Sequence, residues 1–521
     1  MSATATQPTD GLQQRLDLFD ATMLVAGSMI GSGIYIVSAD IARDVGSSGW
    51  LLAVWCLAGV MTVLGALAYA ELAAMMPHAG GQYVYLREAY GPLWGFLYGW
   101  TSFAIIQTGT IAAVAVAFGK FLGVLVPKLG TGTEAILLRI GDLNWQLAMP
   151  LPWLAEPLVI FKRTEFSVTA GQLVGVAIIV GLTWWNTRGL TGGKWVQNVF
   201  TVAKIGSLLA LVLIGLTVTT DHAIRSANYA NMWGGIETTK QFSDTARLVA
   251  APSLVVALMV MGGAMVGALF SADAWNNVTF TAGEVRRPQW TLPMSLILGT
   301  GIVIGLYVAA NLGYLSSLPI QGEAGAKTAT GRGIAHADID RVGTAILDIA
   351  FGEAGAAIMA IAIMVSTFGC QNGLILMGAR LTYAMARDGL FFRSVGRLNR
   401  NHVPAVGLWL QALWASVLVF SGTYNELLDY VIFAALLFYA LTVGGLFVLR
   451  IRKPRADRPY RALGYPLLPG LYVALCTAVM LDLLVVKPVY TWPGLILVLT
   501  GIPVYFLWKM KRVPPVATSG L

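Results

Sequence analysis

The stretch Gly31-Ser32-Gly33-Ile34-Tyr35 lies in the middle of an apolar segment that runs from Ala21 to Ile41. An apolar segment of about 20 residues predicts a helix that crosses a membrane. Hydrocarbon offers no water to free backbone N–H and C=O groups, so a break in such a helix is tolerated only beside protein or an aqueous cavity. A break at this depth therefore indicates a binding site.

A second interruption of the same kind lies roughly 240 residues later. Ser271 to Asn277 reads Ser-Ala-Asp-Ala-Trp-Asn-Asn inside the apolar region from Leu254 to Thr281. Two broken helices in corresponding positions are typical of secondary transporters, where they meet at the substrate site. The pair therefore predicts a transporter.

The composition is that of an integral membrane protein. Of 521 residues, 57% are hydrophobic and only 12% are charged, which excludes an ordinary soluble domain. Windows of about 20 apolar residues predict twelve membrane-spanning helices. Their predicted ranges are 21–42, 50–76, 93–126, 168–186, 195–219, 254–283, 292–318, 353–385, 404–422, 427–449, 465–486 and 491–510.

The distribution of lysine and arginine predicts the orientation. With the N-terminus in the cytoplasm, cytoplasmic segments hold 20 of the 34 basic residues and outer segments hold 12, as the positive-inside rule requires. An even number of spans places both termini in the cytoplasm. The net charge of +8 then reflects topology and anionic inner-leaflet lipid, and we expect no nucleic-acid partner.

An internal repeat follows from the position of the breaks. The first five helices (21–219) and the next five (254–449) each begin with a broken helix, and an odd number of helices inverts the second block. We therefore predict an all-α fold with a 5+5 inverted repeat and two further helices (465–510). Residues 15–512 form one transmembrane domain between disordered tails, 1–14 and 513–521, and the outer loop carries a short helix near Thr133 to Ile140.

The breaks suggest how an amino-acid zwitterion would be held. A half-helix that begins at mid-membrane presents unpaired N–H groups, so Ser32, Gly33 and Ile34 would bind a carboxylate. A half-helix that ends there presents carbonyls, and those of Ser28 to Ile30 and of Phe270 and Ser271 would bind an ammonium group. The alternative is that the glycines serve close helix packing.

Lys204 is a second candidate because of its depth. It lies nine residues after Trp195, about 14 Å into a hydrocarbon core about 30 Å thick. An ammonium group there needs carbonyls, hydroxyls or a carboxylate around it. It either fixes its helix as a structural cation or replaces a bound sodium ion, with proton coupling as a further role.

Asp273 is the single carboxylate that the sequence places at mid-depth. It would face a substrate ammonium group, a cationic side chain or a proton pathway, or else cap the second half-helix. Phe270 and Trp275 flank it, and their aromatic faces would close over a substrate as gates. Packing is the alternative for both rings.

No motif indicates a cofactor, a metal ion or an enzyme. The four histidines fall in predicted loops, and the spans contain neither HExxH nor a nucleophile with a positioned base. The three cysteines fall within predicted helices and read as buried small hydrophobic residues.

The order and spacing of several short motifs resemble the amino acid-polyamine-organocation superfamily, and within it the bacterial relatives of the L-type amino-acid transporters. The similarity covers most of the chain. The motifs are Gly31 to Tyr35, Tyr69 to Leu72, Pro77 to Tyr85, Phe270 to Trp275, Gly283 to Pro288, Leu292-Pro293, Phe368 to Gly373, Arg380-Leu381, Ala386 to Gly389, Arg458 to Arg461 and Gly464 to Pro466.

This resemblance implies a LeuT-type fold, alternating access and residence in the bacterial inner membrane. It implies carboxylate binding at Ser32 and Gly33, ammonium binding at the carbonyls of Met29, Phe270 and Ser271, and gating by Phe270. It matches Lys204 to the helix-five lysine of sodium-independent members, near Ser366 or Thr367. Thr110 is implied as a pocket residue, and helix ten adds Phe433, Leu436 and Tyr439.

Two departures from the family pattern affect substrate and partners. Many members for neutral amino acids have a small residue where Asp273 stands, which leaves cationic or broader substrates open. The loop 127–167 contains no cysteine, whereas animal members use one for a disulfide to a heavy chain. We therefore expect no disulfide-linked heavy subunit.

Together these features predict a sodium-independent secondary transporter of L-α-amino acids, neutral or broad in range, working by exchange or proton-linked uptake. A cationic amino-acid or polyamine transporter of the same fold is the nearest alternative. An amino-acid channel or a sensor that binds without transport is the alternative of a different class.

Overall fold

The computed structural model describes residues 12–141, 145–149, 158–163, 166–249, 251–421 and 424–510. Within these ranges the chain is mostly helical. The helices are α1 (Leu18–Met29), α2 (Gly33–Val45), α3 (Ser48–Met75), α4 (Gln82–Tyr90), α5 (Pro92–Thr101), α6 (Gln107–Leu125), α7 (Ala170–Thr187), α8 (Leu190–Thr217), α9 (His222–Ala230), α10 (Lys240–Leu248), α11 (Ser253–Ser271), α12 (Pro288–Ser317), α13 (Ala329–Arg332), α14 (Val342–Phe351), α15 (Glu353–Arg387), α16 (Ala405–Val419), α17 (Tyr424–Arg452), α18 (Leu467–Val486) and α19 (Pro488–Met510).

Ten helical segments in the described ranges are long and apolar enough to cross a membrane. The protein is therefore a multi-pass integral membrane protein. Two of the twelve predicted spans are not among the ten, α7 and α16. Helix α16 has 15 residues and reaches about 22 Å, less than a hydrocarbon core of about 30 Å.

Both predicted interruptions are present in the backbone. Helix α1 ends at Met29 and α2 begins at Gly33. Helix α11 ends at Ser271, and a 3-10 helix (Trp275–Glu284) follows after three residues. A π-helical turn at Ser102–Ile106 joins α5 to α6 without a break in the span.

The outer loop corrects one prediction, the short helix near Thr133 to Ile140, and adds short strands to a mostly helical fold. Only Thr133–Ala135 is helical, as one 3-10 turn, and Ile136–Ile140 is a strand. The four strands are β1 (Ile136–Ile140), β2 (Trp145–Met149), β3 (Leu158–Arg163) and β4 (Phe166–Thr169), paired antiparallel as β1 with β4 and β2 with β3. The partner strand lies about 30 residues away and satisfies the backbone groups of β1, which local helix propensity could not indicate.

The outer stretch 320–349 contains two short helices, α13 and α14. Hydrogen bonds and packing join this stretch to α2, the second half of the first broken helix. Arg43 of α2 donates to Ala335 O at 2.6 Å and to Asp340 Oδ1 at 2.8 Å. Gly343 of α14 lies against the Tyr35 ring. A Cβ added to Gly343 would lie 2.8 Å from an atom of that ring.

Buried ion pairs join helices at the ends of the bundle. Glu284, after the second break, receives two bonds of 3.0 Å from Arg380 of α15, and both side chains are buried. Glu71 of α3 binds Arg450 of α17 at 2.6 Å. Each carboxylate has its own guanidinium partner, as a charge removed from water requires.

The N-terminal segment is placed from residue 12 onward. Leu12, which falls within the predicted tail 1–14, is buried in a small cluster with Ala79 and Tyr383. Leu16 pairs with Val285 beyond the second break. Residues 1–11 and 511–521, which hold the rest of both predicted tails, lie outside the described residues.

Candidate functional site

The end of α1 is surrounded by donors from two other helices. The Lys204 ammonium group of α8 donates to Gly27 O at 2.6 Å, to Ile30 O at 2.8 Å and to Ser366 O of α15 at 3.1 Å. Lys204 is fully buried. Carbonyls at a helix end have no partner within the helix, so the lysine supplies a positive charge where the helix dipole is negative.

The neighbouring carbonyls of this end are bound by other side chains. The Ser366 hydroxyl lies 3.1 Å from Ile30 O and 3.0 Å from Gly31 O. The Cys370 thiol donates to Ser28 O at 3.0 Å. The side chain of Thr367, named with Ser366 above, bonds back to its own helix, to Ile363 O and Met364 O.

The two breaks touch each other. A Cβ on Gly33 would lie 2.1 Å from Ser271 Oγ and 3.1 Å from Ser271 Cα, so α2 begins directly against the end of α11. The Tyr307 hydroxyl of α12 lies 3.0 Å from both Met29 O and Ser271 O. Tyr307 therefore bridges the last carbonyls of both interrupted helices, and the sequence analysis did not identify it.

Gly27 of α1 fits the alternative in which glycines serve close helix packing. A Cβ on Gly27 would lie 2.1 Å from Gln197 Nε2 and 2.2 Å from Thr201 Oγ1, so α1 and α8 approach closely there. Gly31 differs, because a Cβ there would meet Cys370 Sγ at an ordinary 3.4 Å. Gly27 thus serves helix packing, while Gly33 sets the contact between the two breaks.

Asp273 does not take the capping position considered above. The residue at the cap of the 3-10 helix is Ala274, in a left-handed conformation with φ of 66°, which is uncommon for a residue other than glycine. The Asp273 carboxylate instead accepts a hydrogen bond from the Tyr439 hydroxyl of α17. The carboxylate is therefore bonded to α17, and its residue does not occupy the cap of the second half-helix.

A small closed cavity lies beside this carboxylate. Its empty space is about 310 Å³, of which about 10 Å³ admits the centre of a water molecule, enough for about one water. Asp273 and Thr110 of the predicted site line it. The full lining is Gln82, Tyr98, Ile106, Gln107, Thr110, Asp273, Ala274, Asn276, Asn277, Leu374, Ala435 and Tyr439.

Amides connect this cavity to the surrounding helices. Asn276 donates to Gln82 Oε1 at 2.7 Å, and Asn277 donates to Gln107 Oε1 at 3.1 Å. Gln107 in turn donates to Leu374 O at 2.8 Å. The chain of bonds satisfies buried polar groups, and it joins the segment after the second break to α4, α6 and α15.

The remaining predicted residues lie beside the cavity rather than in its wall. Met29, Ser32, Gly33, Ile34, Phe270 and Ser271 are all buried and none lines it. Of the three helix-ten residues, Tyr439 lines the cavity, and Phe433 and Leu436 do not.

Trp275, considered as a gate, packs on the far side of the second break. Its ring lies 4.8 Å from the Tyr69 ring and 5.4 Å from the Tyr439 ring, measured between centroids. The indole is buried and is not in the cavity wall. These contacts match the packing alternative, because they join the 3-10 helix to α3 and α17.

These features define a multi-pass membrane protein in which two interrupted helices meet beside a closed polar cavity, the arrangement of a secondary transporter. Residues 16–506 match the family model described as amino acid permease. The chain belongs to this family, which confirms the resemblance drawn from its motifs. A transporter family also indicates transport rather than enzymatic catalysis.

Individual relatives share about a quarter of the residues over nearly the whole chain. The b(0,+)-type amino acid transporter 1 of Homo sapiens is 26% identical, over 98% of this chain and 92% of the relative. The large neutral amino acids transporter small subunit 2 of Mus musculus is also 26% identical, over 96% of this chain and 82% of the relative.

Proposed function

We propose that the protein is a sodium-independent secondary transporter of L-α-amino acids that works by alternating access, as an exchanger or with protons. The observation that carries the proposal is the Lys204 ammonium group, held by two carbonyls at the end of α1 and one of α15. Carbonyls at a broken helix end coordinate sodium in transporters of this kind. A permanent cation in the same place makes a bound sodium ion unnecessary.

The substrate would bind where the two breaks meet. The N–H groups of Ser32, Gly33 and Ile34 at the start of α2 would take the carboxylate, and the carbonyls of Phe270 and Ser271 would take the ammonium group. The cavity near this contact has space for about one water, which is too little for an amino acid, so we propose that α2 and α11 separate to admit one. Phe270, next to this contact, would gate the movement.

The membrane arrangement belongs to the same proposal. We propose twelve spans in a LeuT-type 5+5 inverted repeat, with both termini in the cytoplasm of a bacterial cell. The paired breaks at α1–α2 and after α11 support it, as does the excess of basic residues in the segments that would face the cytoplasm. Among the described residues of loop 127–167, β1 pairs antiparallel with β4 at the end of the loop.

We further propose that the chain transports without a disulfide-linked heavy subunit. The absence of cysteine from residues 127–167 supports this. The name of the murine relative, a small subunit, points to a larger partner for that protein. Blue-native and non-reducing gels of the membrane in which the protein occurs test the point, because a band that shifts only on reduction would contradict it.

Transport is tested with purified protein in liposomes. Uptake of radiolabelled leucine, alanine, serine, arginine and glutamate is measured in sodium or choline buffer, with and without a pH gradient. We expect saturable uptake that is unchanged when choline replaces sodium, and stimulation by unlabelled substrate inside. Strict sodium dependence contradicts the role of Lys204. Conductance without trans-stimulation indicates a channel, and binding without flux indicates a sensor.

Tyr307→Phe is expected to reduce the initial uptake rate about tenfold without loss of folded protein. The change removes one hydroxyl that joins both helix ends, and such a buried bond contributes about 1 kcal/mol or slightly more. Tyr90→Phe is the matched control, because its hydroxyl bonds to Leu441 O at 2.9 Å, away from the breaks. Equal rates for wild type and Tyr307→Phe would show that the bridge has no part in transport.

Cationic amino acids are the second candidate substrate, and the position of Asp273 favours them. Its buried carboxylate lines the cavity beside Tyr439. If it meets a cationic side chain, Asp273→Asn should reduce arginine uptake at least about tenfold, as expected for loss of a charge-assisted bond. Leucine uptake should change less than about threefold. Parallel losses for both substrates would instead assign Asp273 to the common mechanism or to packing.

A further inference from the structure

A cavity of about 380 Å³ lies where α7 turns into α8, away from the transport site. Its cationic side chains come from three separate parts of the chain. Arg15 belongs to the N-terminal segment, Arg188 follows α7, and Arg400 precedes α16. The remaining lining residues are Gln13, Gly189, Leu190, Thr191, Gly192, Glu284, Asn401 and His402.

The first of these cations is fixed in place. Arg15 donates to Thr191 Oγ1 at 2.8 Å, and its backbone N–H donates to Glu284 O at 2.9 Å. The Arg188 guanidinium stacks on the Trp184 ring at 3.7 Å from its centroid, which leaves the N–H groups at its edge directed outward.

The start of α8 adds to the positive potential. Gly189, with φ of 136°, precedes the helix, and no side chain caps it. Leu190, Thr191 and Gly192, the first residues of this helix, line the cavity together with the three arginines. The first N–H groups of a helix favour an anion.

The one acidic residue in the wall does not cancel these charges. Both carboxylate oxygens of Glu284 are bound by Arg380 at 3.0 Å, and this pair is buried. Among the described residues of the lining, three arginines from three elements thus face the cavity without a carboxylate of their own.

Exposed tryptophans place the cavity at the level of lipid headgroups. Trp184 and Trp185 precede the turn and Trp195 follows it, and they are 48%, 40% and 63% exposed. Tryptophan on the surface of spanning helices is typical of the membrane–water interface. An anion would therefore enter this cavity from the headgroup region.

We propose that this cavity binds the phosphate group of an anionic lipid, and that the bound lipid holds the N-terminal segment against the α7–α8 turn and the loop before α16. The inference goes beyond the proposed transport. The proposed orientation enters only in assigning the lipid to the inner leaflet, where basic residues bind anionic headgroups.

The test uses purified full-length protein in detergent. Phosphatidylglycerol, phosphatidylcholine, glycerol phosphate and inorganic phosphate are each titrated, and lipid binding is measured by native mass spectrometry alongside the thermal unfolding midpoint. The variant is Arg188→Gln with Arg400→Gln, both exposed. The control is Arg455→Gln with Arg461→Gln, an equal charge change at exposed positions outside the cavity.

We expect phosphatidylglycerol, and not phosphatidylcholine, to bind and to raise the midpoint of wild type and control. The variant should bind it about 25-fold more weakly, about fivefold for each arginine removed. Equal, arginine-dependent binding of inorganic phosphate would assign the site to free phosphate. Equal affinity of variant and control would overturn the proposal. Neither readout involves transport, so these results stand whether or not the protein carries amino acids.

Discussion

Lys204→Met is expected to reduce amino-acid uptake about 100-fold or more while the protein remains folded. Methionine keeps most of the length of the lysine side chain but donates no hydrogen bond. Two carbonyls of α1 and one of α15 then lose a charged donor, and bonds to charged groups contribute about 1.5 to 3 kcal/mol each. A net loss of about 3 kcal/mol at the joint of α1 and α2 corresponds to about 100-fold.

The measurement is the initial rate of leucine uptake into liposomes, normalised to protein that elutes as a single species in size-exclusion chromatography. Lys240→Met is the matched control, because Lys240 is exposed at the start of α10. Lys204→Ala adds a second arm, since it leaves space between the same carbonyls. If the ammonium group replaces an ion, sodium and not choline should restore part of the uptake of this variant. Wild-type rates for Lys204→Met would refute its role in transport.

Gly33→Ala is the second change with a large expected effect, and it should abolish uptake. The new Cβ would lie 2.1 Å from Ser271 Oγ and 2.8 Å from Ser271 Cβ, so α2 and α11 must move apart. Overpacking of this kind costs about 1 to 3 kcal/mol, and here the displacement falls on the N–H groups that we propose to bind the substrate carboxylate. Uptake and substrate binding should therefore fail together.

A double variant separates this contact from other effects of the substitution. Ser271→Gly removes both atoms that clash, so Gly33→Ala with Ser271→Gly should regain part of the uptake that Gly33→Ala lost. Gly31→Ala is the matched control two residues away, where the added Cβ meets Cys370 Sγ at 3.4 Å, and we expect uptake within about threefold of wild type. The explanation fails if the two single glycine variants behave alike.

The breaks themselves could be predicted because they depend on local sequence. Glycine and polar residues within an apolar segment mark the places where a helix cannot continue unaided, and both interruptions occur there. The burial of Lys204 could be predicted in the same way, from its distance along a helix of known rise. Neither prediction required knowledge of which helices pack together.

The partners of these residues could not be predicted. Tyr307 lies 278 residues from Met29 along the chain, and in the sequence it reads as an ordinary aromatic residue of an apolar helix. The bond of Asp273 to Tyr439 forms beside a left-handed turn at Ala274. No residue type in this stretch predicts such a turn. Asp273 does not cap the helix, which was the local alternative for it, and instead bonds to a residue of another helix.

The sequence by itself determined that the protein crosses a membrane, where two of its helices are interrupted, and that one lysine lies deep within its helix. These properties follow from hydrophobicity and backbone preference, which act over one or two helical turns. Only the tertiary structure decided that the interruptions touch, that Tyr307 joins them, and that the outer loop forms β1 with β4 instead of a helix. Those features satisfy backbone groups with partners distant in the chain, and packing alone selects such partners.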